Sequence, residues 1–523
     1  MNRRKFITNS VLTTGVILTP SLLQSCTNDT NVPVSKRDPK FKPDIELNLT
    51  SKFGSVPILP GKPTDVFNFE ASLINGDPSN LQTIPDSYLG PIIRIRNGQK
   101  IRINYKNMLD QESIVHWHGL HVPEEMDGHP RFVIDEGEEY IYEFEVDNRA
   151  GTYWFHPHPH GKTGPQVYFG LAGLFIVTDK EEEALDLPKG EYDIPLIIQD
   201  RTFDSDNQLV YIQNPMERMN GFLGKQVIIN GKPDFNFPVS SKAYRFRLLN
   251  GSNSRIYKLA WSNGMPLTVI GNDGGLLEKP VTKEYVVLGP AERLDIIADF
   301  SGMKLNSKVE LISLPFPNPN SGGGMMMGRM GGSSGLPNGT KFKLAEFNIL
   351  KIVNEQFSLP DKLSNIQSLN ISSAININDP RSFTFAMSHM NWTINGRTFG
   401  MTDVASDEKV KLNTTEVWEF INGSSGRGRM GGMGGMMQMP HPVHIHQLQF
   451  RIIERNIGQS SSLWQSLKDG FLDEGWKDTF LLLPGMKVKI LISFKDYPGL
   501  FLYHCHNLEH EDMGMMRNYL IST

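Results

Sequence analysis

Cysteine is nearly absent from this chain: there are two in 523 residues, Cys26 and Cys505. That excludes a disulfide framework and a cysteine-rich zinc module. No apolar run reaches the ~20 residues that a membrane-spanning helix needs. Basic residues do not outnumber acidic ones, 52 against 57, and the formal net charge is −5. A nucleic-acid backbone is therefore not an expected partner. Long helical periodicity is missing too, and only a stretch near Ser462 to Lys468 reads as helical. With 39% apolar and 21% charged residues the chain is a folded protein. At roughly 150 residues per domain it is long enough for about three domains.

What is abundant is glycine, methionine and histidine, 48, 23 and 14 residues. The N-terminus has its own character. Arg3, Arg4 and Lys5 precede a short apolar stretch between Val11 and Leu23, which predicts an export signal over residues 1–26. Arg3 to Phe6 resembles a twin-arginine signal, and Leu23 to Cys26 resembles a bacterial lipobox. The expectation is a lipidated Cys26, a flexible tether over 27–44, and a place in the bacterial envelope facing the periplasm. A membrane partner is expected only through that lipid. Cys505 is then the one internal thiol, with no disulfide partner.

Strand signals dominate the rest. Ile92 to Arg96 and Ile101 to Tyr105 alternate on either side of Asn97-Gly98, which predicts a hairpin. Tyr140 to Val146, Tyr244 to Leu248 and Val488 to Ile492 alternate likewise. The expected class is all-β, built as sandwiches or barrels. Tyr244 to Ser252 resembles Trp418 to Ser424, with a weaker counterpart in Ile101 to Asn107. The repeated asparagines Asn107, Asn250 and Asn422 are a domain length apart. One β-domain is thus expected three times, over 45–180, 185–355 and 375–523, with loops over 315–337 and 356–379.

The histidines follow this repeat. His116 and His118, with His121 and His129 nearby, come after the strand ending at Asn107. His441, His444 and His446 come after the equivalent Asn422. His156, His158 and His160 lie later in the first repeat. His504, His506 and His510 lie later in the last. His389 stands alone, and the middle repeat has none. On a strand, residues i and i+2 share a face, so each His-x-His pair places two imidazoles side by side. Packing the first repeat on the last would gather eight imidazoles, enough for several metal ions. His121, His129, His160 and His389 are expected to be structural or to support the ligands.

Cys505 lies between His504 and His506, so on a strand it points away from both and serves a different site. His441, Cys505, His510 and Met515 offer two imidazoles, a thiolate and a thioether, the ligand set of a blue-copper electron-transfer site. Zinc would leave the other eight histidines unexplained. Non-haem iron would want carboxylates that these motifs lack.

His116 to Leu120, Trp154 to His158, His441 to His446, and His504 to His510 with Met515 together resemble the four copper signatures of multicopper oxidases. Trp154 to Leu174, with Gly161 to Gly164 and Gly170 to Leu174, is most similar to the bacterial copper-efflux oxidase and laccase branch. The resemblance implies three cupredoxin-like Greek-key domains, the middle one without ligands, and four copper ions. It implies type 1 copper on His441, Cys505, His510 and Met515, and type 2 copper on His116 and His444. One type 3 copper would sit on His118, His156 and His506, the other on His158, His446 and His504. It further implies reduction of O2 to water by one-electron donors, with Asp127 and Glu511 on the proton path, in a protein expected to be monomeric.

Two segments depart from ordinary loop composition. One carries Met325, Met326, Met327 and Met330. The other, Gly426 to Met439, carries Met430, Met433, Met436, Met437 and Met439 and ends two residues before His441. Thioethers are soft and select Cu(I), so a cuprous donor is expected, with a small phenol or aromatic amine as the alternative. Met387 to Val410 lacks the Met/His-rich insertion of the efflux branch. Met437 stands where that branch carries an acidic residue.

Overall fold

The computed structural model describes residues 35–319, 335–388, 390–423, 439–457 and 461–523. The export signal with Cys26, His389, Met325, Met326, Met327, Met330, Met430, Met433, Met436 and Met437 lie outside the described residues. So does the start of the expected tether. Its later part is held down: Arg37 pairs with Glu46, and Arg102 Nη2 donates to the carbonyls of Asp38 and Phe41.

Six sheets form three pairs. The strands of the first pair run between Ile45 and Thr178, those of the second between Asp193 and Lys351, and those of the third between Arg381 and Ser522. Each pair closes over its own apolar core, built around residues such as Ile103 and Phe155, Phe246 and Phe347, and Phe420 and Phe480. The repeat seen in sequence is a repeat of topology. The strand Lys100–Asn107 runs parallel to Ile45–Val56 and antiparallel to Glu139–Glu145. Ala243–Asn250 has the same relation to Asp193–Arg201 and Arg293–Asp299. Thr414–Asn422 has it to Arg381–Ser388 and Met486–Phe494.

The repeated asparagine has a structural reason. Its side-chain amide donates to two carbonyls, one in the following loop or segment and one further along the chain. The pairs are Gln111 and Ile134 for Asn107, Arg255 and Leu288 for Asn250, and Met439 and Leu482 for Asn422. Buried carbonyls need such donors, and one amide at the strand end serves two of them.

Two expectations are corrected. Asn97-Gly98 does not make a hairpin. Ile92–Arg96 pairs with Gly173–Thr178 in one sheet, while Lys100–Asn107 lies in the other. The Asn97 and Gly98 amides donate to Thr178 and Val146, so the turn carries the chain between sheets. Gly98 takes a positive φ of 84° there. Helix is also more frequent than expected. Besides Ser462–Leu467, short α-helices occupy Thr163–Phe169, Lys180–Glu183, Pro215–Asn220 and Leu508–Asp512. They are too short to leave a periodic signal, and docking rather than propensity sets them.

Candidate metal centre

The His-x-His pairs fall on neighbouring antiparallel strands in matching register. In the first repeat Val115–His118 pairs with Gly151–Pro157, and His116 faces His156. In the third, His441–Ile445 pairs with Gly499–Cys505, and His444 faces His504. The two half-sites meet. His116 and His446 stack with ring centres 3.7 Å apart, and His118 and His444 stack at 3.6 Å. All eight imidazoles are buried.

Four of their outer nitrogens are held by backbone carbonyls. His116 Nδ1 donates to the Asp127 carbonyl (2.6 Å), His444 Nδ1 to that of Asp478 (2.9 Å), His156 Nδ1 to that of Pro157 (2.9 Å), and His504 Nδ1 to that of Cys505 (3.2 Å). A carbonyl only accepts, so each of these Nδ1 atoms carries the hydrogen and each Nε2 keeps its lone pair. The lone pairs then face one another. The Nε2 atoms of His116 and His444 are 3.3 Å apart. Those of His446 and His504 are 3.1 Å apart, and those of His158 and His504 3.4 Å. His118 reverses the pattern: its Nε2 lies 3.2 Å from Asp478 Oδ1 and 3.1 Å from Thr479 Oγ1. Its Nδ1, together with His156 Nε2, His158 Nδ1 and both nitrogens of His506, has no partner among the described residues.

Burial, reinforced by the neighbouring imidazoles, pushes most of these groups far below the usual histidine range, to about 3 for His156. For His158, at about 4, burial and His504 outweigh the nearby Glu511 carboxylate. Neutral rings with facing lone pairs repel, and a dry unpaired nitrogen costs about 1–3 kcal/mol. Cations between the rings remove both penalties, so the donor set fits metal ions bound by neutral imidazole.

A second cluster adjoins the first. Cys505 Sγ lies 3.3 Å from His441 Nδ1 and 3.7 Å from His510 Nδ1. His510 Nε2 donates to the Met219 carbonyl at 3.0 Å, so its Nδ1 lone pair faces the sulfur. Met515 is buried in the same core, and its backbone bonds both Cys505 and His510. The side chains alternate as expected: Cys505 faces this site while His504 and His506 face the eight-histidine cluster. Burial pushes the Cys505 thiol far above its usual range, and a metal ion is what makes such a thiol a thiolate.

Asp127 and Glu511 both touch the cluster. Asp127 Oδ2 lies 2.8 Å from His446 Nδ1. Burial, with Glu124 nearby, pushes its carboxyl well up. Glu511 Oε2 lies 3.1 Å from His504 Nδ1 and Oε1 3.5 Å from His158 Nε2. Burial opposes its ionisation, but His504 and His158 hold it down at about 2. His129 is satisfied by Asn518 and the Arg131 amide, and His121 by the Gln447 carbonyl. His160 packs on Phe399. Sequence reasoning missed Asp478, Thr479 and Arg293, which carry no histidine motif and meet the cluster only in three dimensions.

Family models described as multicopper oxidase match residues 67–182 and 374–523. A multicopper oxidase of Staphylococcus aureus is 33% identical over 441 residues, 84% of each chain. The McoA multicopper oxidase of the hyperthermophile Aquifex aeolicus superposes with a TM-score of 0.75 at 35% identity, covering 92% of this chain and 97% of that one. A multicopper oxidase of Campylobacter jejuni described as a metallo-oxidase superposes at 0.71 with 27% identity, covering 94% of each. Six β-sheets in three repeats, two buried ligand clusters and these likenesses lead to one conclusion: the chain belongs to the multicopper oxidase family and is a copper oxidoreductase that delivers its donor's electrons to O2.

Proposed function

We propose that the donor is Cu(I) and that the chain holds four copper ions. One sits on His441, Cys505, His510 and Met515, and three sit within the eight-histidine cluster as the family pattern divides them. The observation that carries the donor is Met439. It closes the methionine-rich segment and is buried in the same core as Cys505 and Met515. Met387 and Met513 pack on that core as well. Soft thioethers therefore share the core that holds the thiolate site. The outer nitrogen of His510 is covered by the Met219 carbonyl, which also accepts from Trp392 Nε1 at 2.9 Å. That contact takes the His510 edge away from an aromatic donor, whereas a cuprous ion needs only thioethers. The Campylobacter relative's description as a metallo-oxidase supports the same reading.

Bound copper supplies one-electron chemistry at the thiolate site and multi-electron reduction of O2 at the cluster. The chain's own part is ligation, orientation and proton handling. Backbone carbonyls fix which nitrogen stays bare on His116, His156, His444 and His504. Cys505 joins both sites, with His504 and His506 as its immediate chain neighbours. Asp127 Oδ2 and Glu511 Oε2 stand within reach of His446 and His504, where each can pass a proton on.

Asp127→Asn is expected to slow O2 reduction by about 10²-fold, the low end of proton-transfer effects. It should leave the blue absorption of the thiolate site intact, because Asp127 touches His116 and His446 and none of that site's four residues. Unchanged turnover would remove Asp127 from the proton path. For the donor, oxygen uptake by the copper-loaded protein with Cu(I) and with a substituted phenol is the test, each with and without added Cu(II). Fast Cu(I) turnover, with phenol oxidation dependent on added copper, is the expected result. Fast phenol turnover with poor Cu(I) oxidation would make this a laccase.

A further inference from the structure

Two aspartates grip the eight-histidine cluster in parallel ways. Asp127 holds His116 through its carbonyl and His446 through its carboxylate. Asp478, with Thr479, holds His444 through its carbonyl and His118 through its carboxylate. Each thus secures one of the two ring stacks, and each stack joins one imidazole of the first repeat to one of the third. They differ in their counterions. Among the described residues no Lys or Arg pairs with Asp127. Asp478 is met by Arg293 of the middle repeat, with Nη1 to Oδ1 at 2.7 Å and Nη2 to Oδ2 at 2.5 Å.

All five guanidinium hydrogens of Arg293 have acceptors. Besides Asp478 these are the carbonyls of Thr152, Ala291 and Asp273. Thr152 lies on Gly151–Pro157, the strand that carries His156. Arg293, Asp478 and Asp273 are all fully buried. Gly119, directly after His118, makes room for the pair. A Cβ there would collide with Asp478 Oδ2 and lie 2.9 Å from Arg293 Nη2.

We propose that Arg293 and Asp478 form a positioning pair, through which the middle repeat completes the cluster without supplying a ligand. The two-pronged grip fixes the plane of the Asp478 carboxylate. That plane determines that His118 donates from Nε2, which leaves its Nδ1 bare for metal. The same pair fixes the His118–His444 stack and hence the spacing of the two half-sites. The proposal rests on reading the cluster as a multi-copper site. A native protein that loads copper only at the thiolate site would defeat that reading.

The test uses the full copper-loaded chain and its Arg293→Lys and Arg293→Met variants. It measures bound copper, the blue band, the near-ultraviolet band of a coupled copper pair, kcat and donor KM. Supporting partners of metal ligands typically matter by about 10–100-fold. Arg293→Lys keeps the charge without the fork. It is expected to load copper and keep the blue band, but to lose at least about tenfold in kcat at unchanged donor KM, with an altered near-ultraviolet band. Arg293→Met is expected to keep the blue band, whose ligands all lie in the third repeat, while losing copper from the cluster. Native kcat and a native near-ultraviolet band in Arg293→Lys would overturn the proposal, as would a full copper count in Arg293→Met.

Discussion

Cys505→Ser is expected to abolish the blue absorption, remove one copper per chain and reduce donor-driven oxygen uptake to background. The thiolate is the soft ligand between His441 and His510, and a serine hydroxyl does not replace it. It is also the one ligand whose chain neighbours on both sides, His504 and His506, belong to the other cluster. The fold should survive, because the Cys505 amide still donates to Met515. The buried hydroxyl costs about 1–3 kcal/mol if left unpaired. Copper in the eight-histidine cluster should remain, since Cys505 faces away from it. Absorption and copper counting on the purified variant check this, and a surviving blue band would contradict the ligand assignment.

The copper-free protein is expected to unfold as pH falls from about 6.5 towards 5, far more readily than the copper-loaded form. Burial holds His156 and His510 at about 3 and His158 at about 4 in the folded state. An unfolded imidazole takes its proton near 6.5. Between those values the unfolded chain binds more protons, so stability falls as pH falls. These three rings alone give a slope of about 4 kcal/mol per pH unit, against a typical domain stability of about 5–15 kcal/mol. Copper occupies the lone pairs that protons would take, so the loaded form should stay folded to lower pH. Thermal melts of both forms at stepped pH provide the check. A metal-free melting temperature that stays flat from pH 7 to 5 would show that the rings are not buried and neutral.

The two side-chain clusters are legible in the sequence because strand geometry is local. A two-residue period puts His504 and His506 on one face and Cys505 on the other. A repeat anchored on Asn107, Asn250 and Asn422 pairs the histidine motifs of the first repeat with those of the third. Contacts that depend on packing between repeats are not legible. Arg293 and Asp478 are 185 residues apart, and neither belongs to a histidine motif. Asn97-Gly98 misleads because a turn that links two sheets has the same residues as one that closes a hairpin. What distinguishes them is the parallel partners supplied by Ile45–Val56 and Gly173–Thr178, one of them far along the chain.

The most direct test of the account is the ratio of Cu(I) oxidised to O2 consumed, with hydrogen peroxide assayed in the same vessel. Joined donor and oxygen sites predict four Cu(I) per O2 and no free peroxide, because O2 goes to water while it stays in the buried cluster. Two Cu(I) per O2 with stoichiometric peroxide would mean that the eight histidines do not act as one site.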